Sequence, residues 1–225
     1  MTRNYEFLLP DSARIVTVRS DAAGDLSNFH RLHPLEQSLV SHSVEKRKAE
    51  FGDARWCAHQ ALRQLGYSRN EPILRGNRGM PLWPDGFCGS MSHTSGMRAA
   101  AVAPTHRLHS LGIDIEPAEK LPVDIVDLIL RGSEKPQISR FRATGISCAD
   151  RIIFCAKETV YKTWFPMTQR WLGFEQAEID LREDGTFVAY LLVRPTPVPL
   201  ITGKWMIDDG FVFTAAAVTE SSLRT

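Results

Sequence analysis

The chain has no surplus of either charge. Lysine and arginine together number 27 against 26 aspartates and glutamates, a formal net charge of +1 over 225 residues. A protein that held nucleic acid or an anionic membrane through its overall field would carry a marked basic excess. The balance argues against both partners, and any anion site has to be built locally. Cysteine is scarce as well. Cys57, Cys88, Cys148 and Cys155 are spaced too widely for a CxxC pair and too sparsely for a secreted disulfide scaffold, which points to free thiols in the cytoplasm. Long apolar runs are missing: no stretch approaches the roughly 18 residues of a membrane span. The opening MTRNYEFLLPDSARIV lacks the basic flank and apolar run of a signal peptide. The G-x-x-x-x-G-K-[ST] loop of nucleoside triphosphate enzymes is absent, which disfavours a small-molecule kinase. So is the G-x-S-x-G elbow that would make Ser92 a hydrolase nucleophile.

What remains is an ordinary globular composition. At 43% hydrophobic residues, the chain can bury a core without staples, as one large domain or two small fused ones. Residues 44–65 set Phe51, Ala54, Ala58, Leu62 and Leu65 at three- and four-residue intervals, a helix stripe that Gly66 ends. Glycine and proline punctuate 73–87, predicting a structured loop with short strands. SLGIDIEP at 110–117 alternates as a strand closed by Pro117, and RAAAVA at 98–103 is its expected neighbour across a turn. A second helix is predicted over 150–164, with Ile153, Ala156, Val160 and Trp164 on one face and Pro166 just beyond the end. The segment 121–144 reads as helix plus mobile loop. The last third reads as two antiparallel hairpins around Asp-Gly turns, and there is no internal repeat at residue level.

Strand geometry makes 110–117 the most informative segment. Leu111, Ile113 and Ile115 face one side while Gly112, Asp114 and Glu116 face the other, so two carboxylates stand side by side, roughly 7 Å apart by strand rise. Like charges this close repel unless a cation sits between them, and oxygen ligands suit a hard ion such as Mg²⁺. Taken alone, the pair also fits a solvated strand face. On the 150–164 helix, Glu158 and Lys162 are four apart with Lys157 beside them. Alone that is an exposed helix salt bridge; together with the acidic strand it is a set able to hold a metal and a diphosphate.

GIDIE at 112–116 and AKETVYK at 156–162 resemble the two signature motifs of 4′-phosphopantetheinyl transferases, in the larger monomeric type that activates siderophore, polyketide and peptide synthetases. KRKAEFGDAR at 46–55, GNRGMPLWPDG at 76–86, SMSHTSG at 90–96 and RWLGFEQAEI at 170–179 resemble further family segments in the right order. The resemblance implies an α/β (α+β) fold of two pseudo-symmetric halves with the active site in the cleft between them. Residues 1–111 would supply coenzyme A nucleotide contacts and 112–225 the magnesium and diphosphate motifs. Carried over position by position, it implies that Asp114, Glu116 and Glu158 bind Mg²⁺ or Mn²⁺, with Ile115 at a position sometimes acidic in relatives. It implies that Lys157 and Lys162 neutralise the diphosphate and that Ser92 and His93 contact coenzyme A, His93 at the 3′-phosphate. Arg47 and Arg55, within about 80° of one another on a helix, would clamp the same phosphate, with Arg75 near the nucleotide and Phe154 and Trp171 walling the pantetheine arm. The implied reaction moves that arm from coenzyme A to a serine of an acyl or peptidyl carrier protein and releases adenosine 3′,5′-bisphosphate. Glu158 would take the serine proton, directly or through water, and Lys162 would balance the leaving group. A coenzyme A-binding regulator would keep the arginines and His93 but has no need of the three acids.

Overall fold

The computed structural model describes residues 5–20 and 24–224, so the first four residues of the N-terminus read above lie outside the described residues. The N-terminal half comprises β1 (Arg14–Arg19), the short helices α1 (Ser27–His30) and α2 (Pro34–Ser38), α3 (Glu45–Gln64), the two-residue strands β2 (Leu74–Arg75) and β3 (Pro81–Leu82), then β4 (Phe87–Thr94) and β5 (Met97–Pro104). Strands β1, β5 and β4 form an antiparallel sheet in that order. The apolar stripe of α3 lies on it, with Cys57, Ala58, Ala61 and Leu62 packed against Ala100 and Val102. Alanines along β5 bring helix and sheet close together. The helix stops where Gly66 adopts φ +85° and Tyr67 N–H reaches back to Leu62 O at 3.0 Å.

The C-terminal half repeats the plan with more strands: β6 (Ser110–Pro117), α4 (Val123–Ile129), α5 (Lys135–Ala143), α6 (Ala149–Thr168), β7 (Ala177–Leu181), β8 (Thr186–Leu191), β9 (Leu200–Asp208) and β10 (Phe211–Val218). Its antiparallel sheet runs β6-β10-β9-β8-β7. Helix α6 crosses β6 and β10, burying Ile152, Ile153, Ala156, Val160 and Trp164 in the larger core. The approach of α6 to β6 needs Gly112, because a Cβ there would lie 2.3 Å from Thr159 O and 2.4 Å from Thr163 Oγ1. A 20-residue helix on an antiparallel sheet thus occurs once in each half, the two-part mixed α/β architecture expected from the sequence.

The halves meet edge to edge. Strands β4 and β6 lie alongside one another but share no ladder. In its place, Ile113 N–H donates to Ser90 Oγ at 3.1 Å and Ile115 N–H to Ser92 Oγ at 3.2 Å. This overturns the expected pairing of 98–103 with 110–117. β5 pairs with β1 and β4, and β6 pairs with β10, because the tight turn follows β4, at Gly96 (φ +82°), rather than β5. The expected division after residue 111 falls two residues inside β6. Pro166 also differs from expectation: α6 continues through it to Thr168 and ends at Gln169 in the left-handed region. A proline so near the end forfeits little of the helical ladder. The 121–144 segment holds two short helices, and the last third forms the two expected hairpins, closed by Gly185 (φ +83°) and by Asp209 and Gly210 (φ 50° and 81°).

Candidate functional site

A cavity of about 290 Å³ opens along the seam between the halves. Helix α3 supplies Arg47 and Arg55, the β2–β3 hairpin Arg75 and Arg78, β4 His93, and α6 Lys162. Five fixed cations against one carboxylate, Glu50, line this space. The cluster concentrates positive charge locally in a chain whose net charge is +1. Its floor is apolar: Arg55 and Arg75 stack on the Phe51 ring at 4.8 and 5.2 Å.

The cations are held unequally. Arg55 is buried, 3.8 Å from the carboxylate of buried Glu36, which also contacts His59 at 3.0 Å and accepts from Ile73 N–H at 3.1 Å. Burial lowers the Arg55 pKa to about 10 against the pull of Glu36, which leaves it charged at neutral pH. Arg47 is more open. Its guanidinium lies 3.1 Å from His93 Nε2 and 3.5 Å from Glu50. An arginine can only donate, so that ring nitrogen accepts and His93 is neutral. Burial and then Arg47 hold its pKa below the ordinary value.

Beside this cavity lie the acids. Asp114 is buried under α6, on the face shared with Gly112, so the solvated-face reading of that strand does not apply. Its Oδ1 accepts from Ser92 Oγ at 2.7 Å and from Lys162 Nζ at 2.6 Å, whereas Oδ2 is buried without a protein partner. Burial and then Asp114 push the Glu116 carboxyl up to about 7, despite Arg151 at 3.2 Å. The same two causes raise Glu158. Burial opposes the charge on Lys162, but Asp114 and Glu158 outweigh it and raise its pKa. Among the described residues, no three His, Cys, Asp or Glu side chains come together closely enough to chelate an ion. The donor set nevertheless fits a hard cation: an orphaned carboxylate oxygen and two acids whose charges repel are what such an ion would satisfy.

Two of the expected site residues are held by partners within the chain. Lys157 does not turn toward the basic cavity. Its Nζ is buried at 2.8 Å from Glu134 Oε2 and donates to Ile129 O and Phe174 O, each at 2.8 Å. One residue before Glu158 on a helix is about 100° around it, and the two side chains nevertheless line one small cavity together. Ser92 spends its hydroxyl on Asp114 and Ile115 N–H rather than presenting it to a phosphate. This second cavity, about 60 Å³, is walled by Lys157, Glu158, Tyr161, Trp171, Leu172 and Phe174. Phe154 packs on Phe174, with ring centroids 5.7 Å apart, and so supports this wall from behind.

Three functional-site neighbours escaped the sequence reading. Arg151, seven residues before Glu158, shares its helix face and was detectable by spacing. Glu50, three residues from Arg47, was detectable likewise. Arg78 was not: it reaches the site because the hairpin folds back, setting its guanidinium 5.3 Å from the Trp171 ring centre.

A basic cavity beside one buried and two half-buried acids suits an enzyme that handles phosphate esters. Residues 35–103 match the 4′-phosphopantetheinyl transferase N-terminal domain, and residues 110–216 match the 4′-phosphopantetheinyl transferase superfamily. The chain is 44% identical over 205 residues to the 4′-phosphopantetheinyl transferase Npt of Nocardia iowensis, covering 83% of this chain and 89% of Npt. It is 42% identical to PptT of Mycobacterium tuberculosis, over 81% of this chain and 84% of PptT. With Svp of Streptomyces mobaraensis it shares 40% identity, over 94% and 87% of the two chains. The chain therefore belongs to the 4′-phosphopantetheinyl transferase superfamily and is a transferase.

Proposed function

We propose that this enzyme transfers the phosphopantetheine arm of coenzyme A to a serine hydroxyl of an acyl or peptidyl carrier protein. The observation that carries the reading is the adjacency of two dissimilar sites on one seam, a cavity with five fixed cations and the acidic group Asp114, Glu116 and Glu158. Coenzyme A carries both a 3′-phosphate and a diphosphate, and so asks for two anion sites in series. Residues 1–111 are assigned the nucleotide end through Arg47, Arg55, Arg75 and His93, and residues 112–225 the diphosphate, with Lys162 reaching into both.

A hard divalent cation, Mg²⁺ or Mn²⁺, held by Asp114, Glu116 and Glu158, would neutralise diphosphate oxygens and make the phosphorus more electrophilic. The carrier serine oxygen forms a bond to the phosphorus bearing pantetheine as the bond to the adenosine 3′,5′-bisphosphate oxygen breaks. Glu158, beside Asp114 and Lys162 at this end of the seam, is the candidate to accept the serine proton, directly or through a water. The Lys162 ammonium lies where it can balance the charge of the leaving bisphosphate. Trp171 and Tyr161, 5.0 Å apart, offer the arm an aromatic wall beside Glu158, with Phe154 behind it. Lys157 is assigned a structural role and no contact with the diphosphate.

Both walls of the cavity come from one chain, which supports action as a monomer, and four unpaired cysteines support a reducing cytoplasm. The partners assigned are carrier proteins of siderophore, polyketide, peptide or fatty-acid synthesis, rather than nucleic acid or membrane. A regulator that only binds coenzyme A would not need three neighbouring acids whose charges repel. The test is mass spectrometry of an apo carrier protein incubated with enzyme, coenzyme A and Mg²⁺. The carrier should gain one phosphopantetheine, and a carrier with its serine changed to alanine should gain none. An unmodified wild-type carrier would refute the reading.

A further inference from the structure

We propose that Ser92 is a positioning residue whose hydroxyl fixes which oxygen of Asp114 is offered to the divalent cation. The inference rests on the reading that Asp114 is a ligand of that cation. A serine hydroxyl has one proton and two acceptor lone pairs. Here the proton goes to Asp114 Oδ1 at 2.7 Å, and Ile115 N–H takes up a lone pair at 3.2 Å. Both partners lie on β6, so two bonds from adjacent residues set the hydroxyl's direction. Lys162 approaches the same oxygen from α6 at 2.6 Å. Two donors are thereby spent on Oδ1, and Oδ2 is left buried with no protein partner.

This division matters because a carboxylate has two equivalent oxygens about a freely turning bond. Lys162 alone, on a long flexible stem, could follow either oxygen. Ser92 cannot, since its short side chain is buried and anchored by the Ile115 amide. The N-terminal half therefore orients the principal acid of the C-terminal half, and the seam between the halves becomes part of the site. Outer partners of this kind govern how well a ligand is presented.

Ser90 supplies the internal control. It accepts from Ile113 N–H at 3.1 Å, the same seam bond two residues along the same strand pair, without a bond to Asp114. If Ser92 were only a fastener between strands, the two serines would be equivalent. The experiment is a Mn²⁺ titration by electron paramagnetic resonance, with coenzyme A present, on wild type, Ser92→Ala, Ser92→Thr, Ser90→Ala and Asp114→Asn, each also melted thermally.

Asp114→Asn should lose the ion, and Ser92→Ala should weaken its binding about 10- to 100-fold. Ser92→Thr, which keeps the hydroxyl, should bind close to wild type. Ser90→Ala should melt as early as Ser92→Ala yet bind Mn²⁺ like wild type. Should Ser92→Ala not fold, Ser92→Cys, a near-isostere with a weak donor, takes its place with the same expected weakening. Wild-type affinity in Ser92→Ala, or equal losses in the two serine variants, would overturn the positioning role while leaving the metal assignment standing. Unchanged Mn²⁺ binding in Asp114→Asn would overturn the metal assignment itself, and the role of Ser92 with it.

Discussion

Replacing Glu116 by glutamine should stabilise the protein, and only above mildly acidic pH. Burial and the neighbouring Asp114 raise its carboxyl from an ordinary 4.5 to about 7 in the folded chain. Below pH 4.5 the group is protonated whether folded or not, and it exacts no penalty. As pH rises from there toward 7, the unfolded chain releases its proton before the folded one does. The folded state then binds more protons than the unfolded, so stability falls through that window and levels off above it. A displacement of this size corresponds to about 3 kcal/mol at pH 8, from about 1.4 kcal/mol per unit. Glutamine keeps the shape without the charge. Urea denaturation in the presence of a chelator should therefore show Glu116→Gln more stable than wild type by about 2–3 kcal/mol at pH 8 and no different at pH 4.5. The variant should be inactive, a stability gain bought by losing a functional acid. Equal or lower stability of Glu116→Gln at pH 8 would refute the electrostatic reasoning.

Arg47→Ala should weaken coenzyme A about 10- to 100-fold, the loss of one charge-assisted phosphate contact, while leaving dephospho-coenzyme A nearly unaffected; kcat/KM for both substrates measures the coupling, and parallel small losses contradict the 3′-phosphate assignment. Lys157→Met should destabilise by about 3–5 kcal/mol because it leaves buried Glu134 without its counter-ion, and Lys157→Met with Glu134→Leu should recover most of that in urea denaturation; a stable Lys157→Met that has lost coenzyme A affinity would restore the diphosphate role. Carrier association should slow as salt rises if basic residues around the cavity steer an acidic carrier, and stopped-flow rates independent of salt would indicate apolar docking.

How far the site could be read from sequence depended on whether both partners of an interaction lay in patterned segments. Asp114 and Glu116 were legible because period-two alternation puts them on one strand face, and Arg47 and Arg55 because eight residues bring them round a helix. The pairing of Lys157 with Glu134 was not legible, because Glu134 comes from 121–144, where weak periodicity gave no sign of a buried acid. The bonds of Ser92 to Asp114 and Ile115 were not legible, because they cross a seam built from side chains and no local pattern records which strands abut without a ladder. The same seam explains the mistaken pairing of β5 with β6. The first long helix and the terminal hairpins carried their own stop signals, glycine and Asp-Gly, whereas the second helix ran past its expected stop at Pro166 to Thr168. β4 carried none of the alternation that marks an exposed strand, since it is enclosed between β5 and β6.

The most direct test of the account follows both products in one reaction. Wild type and Asp114→Ala are given apo carrier protein, coenzyme A and Mg²⁺, and the phosphopantetheinylated carrier and adenosine 3′,5′-bisphosphate are quantified together. The account predicts equal amounts of the two from wild type and neither from Asp114→Ala, whose strand keeps the buried Leu111, Ile113 and Ile115 and whose melt should show a folded protein. Bisphosphate released without modified carrier, or a folded Asp114→Ala as active as wild type, would contradict it.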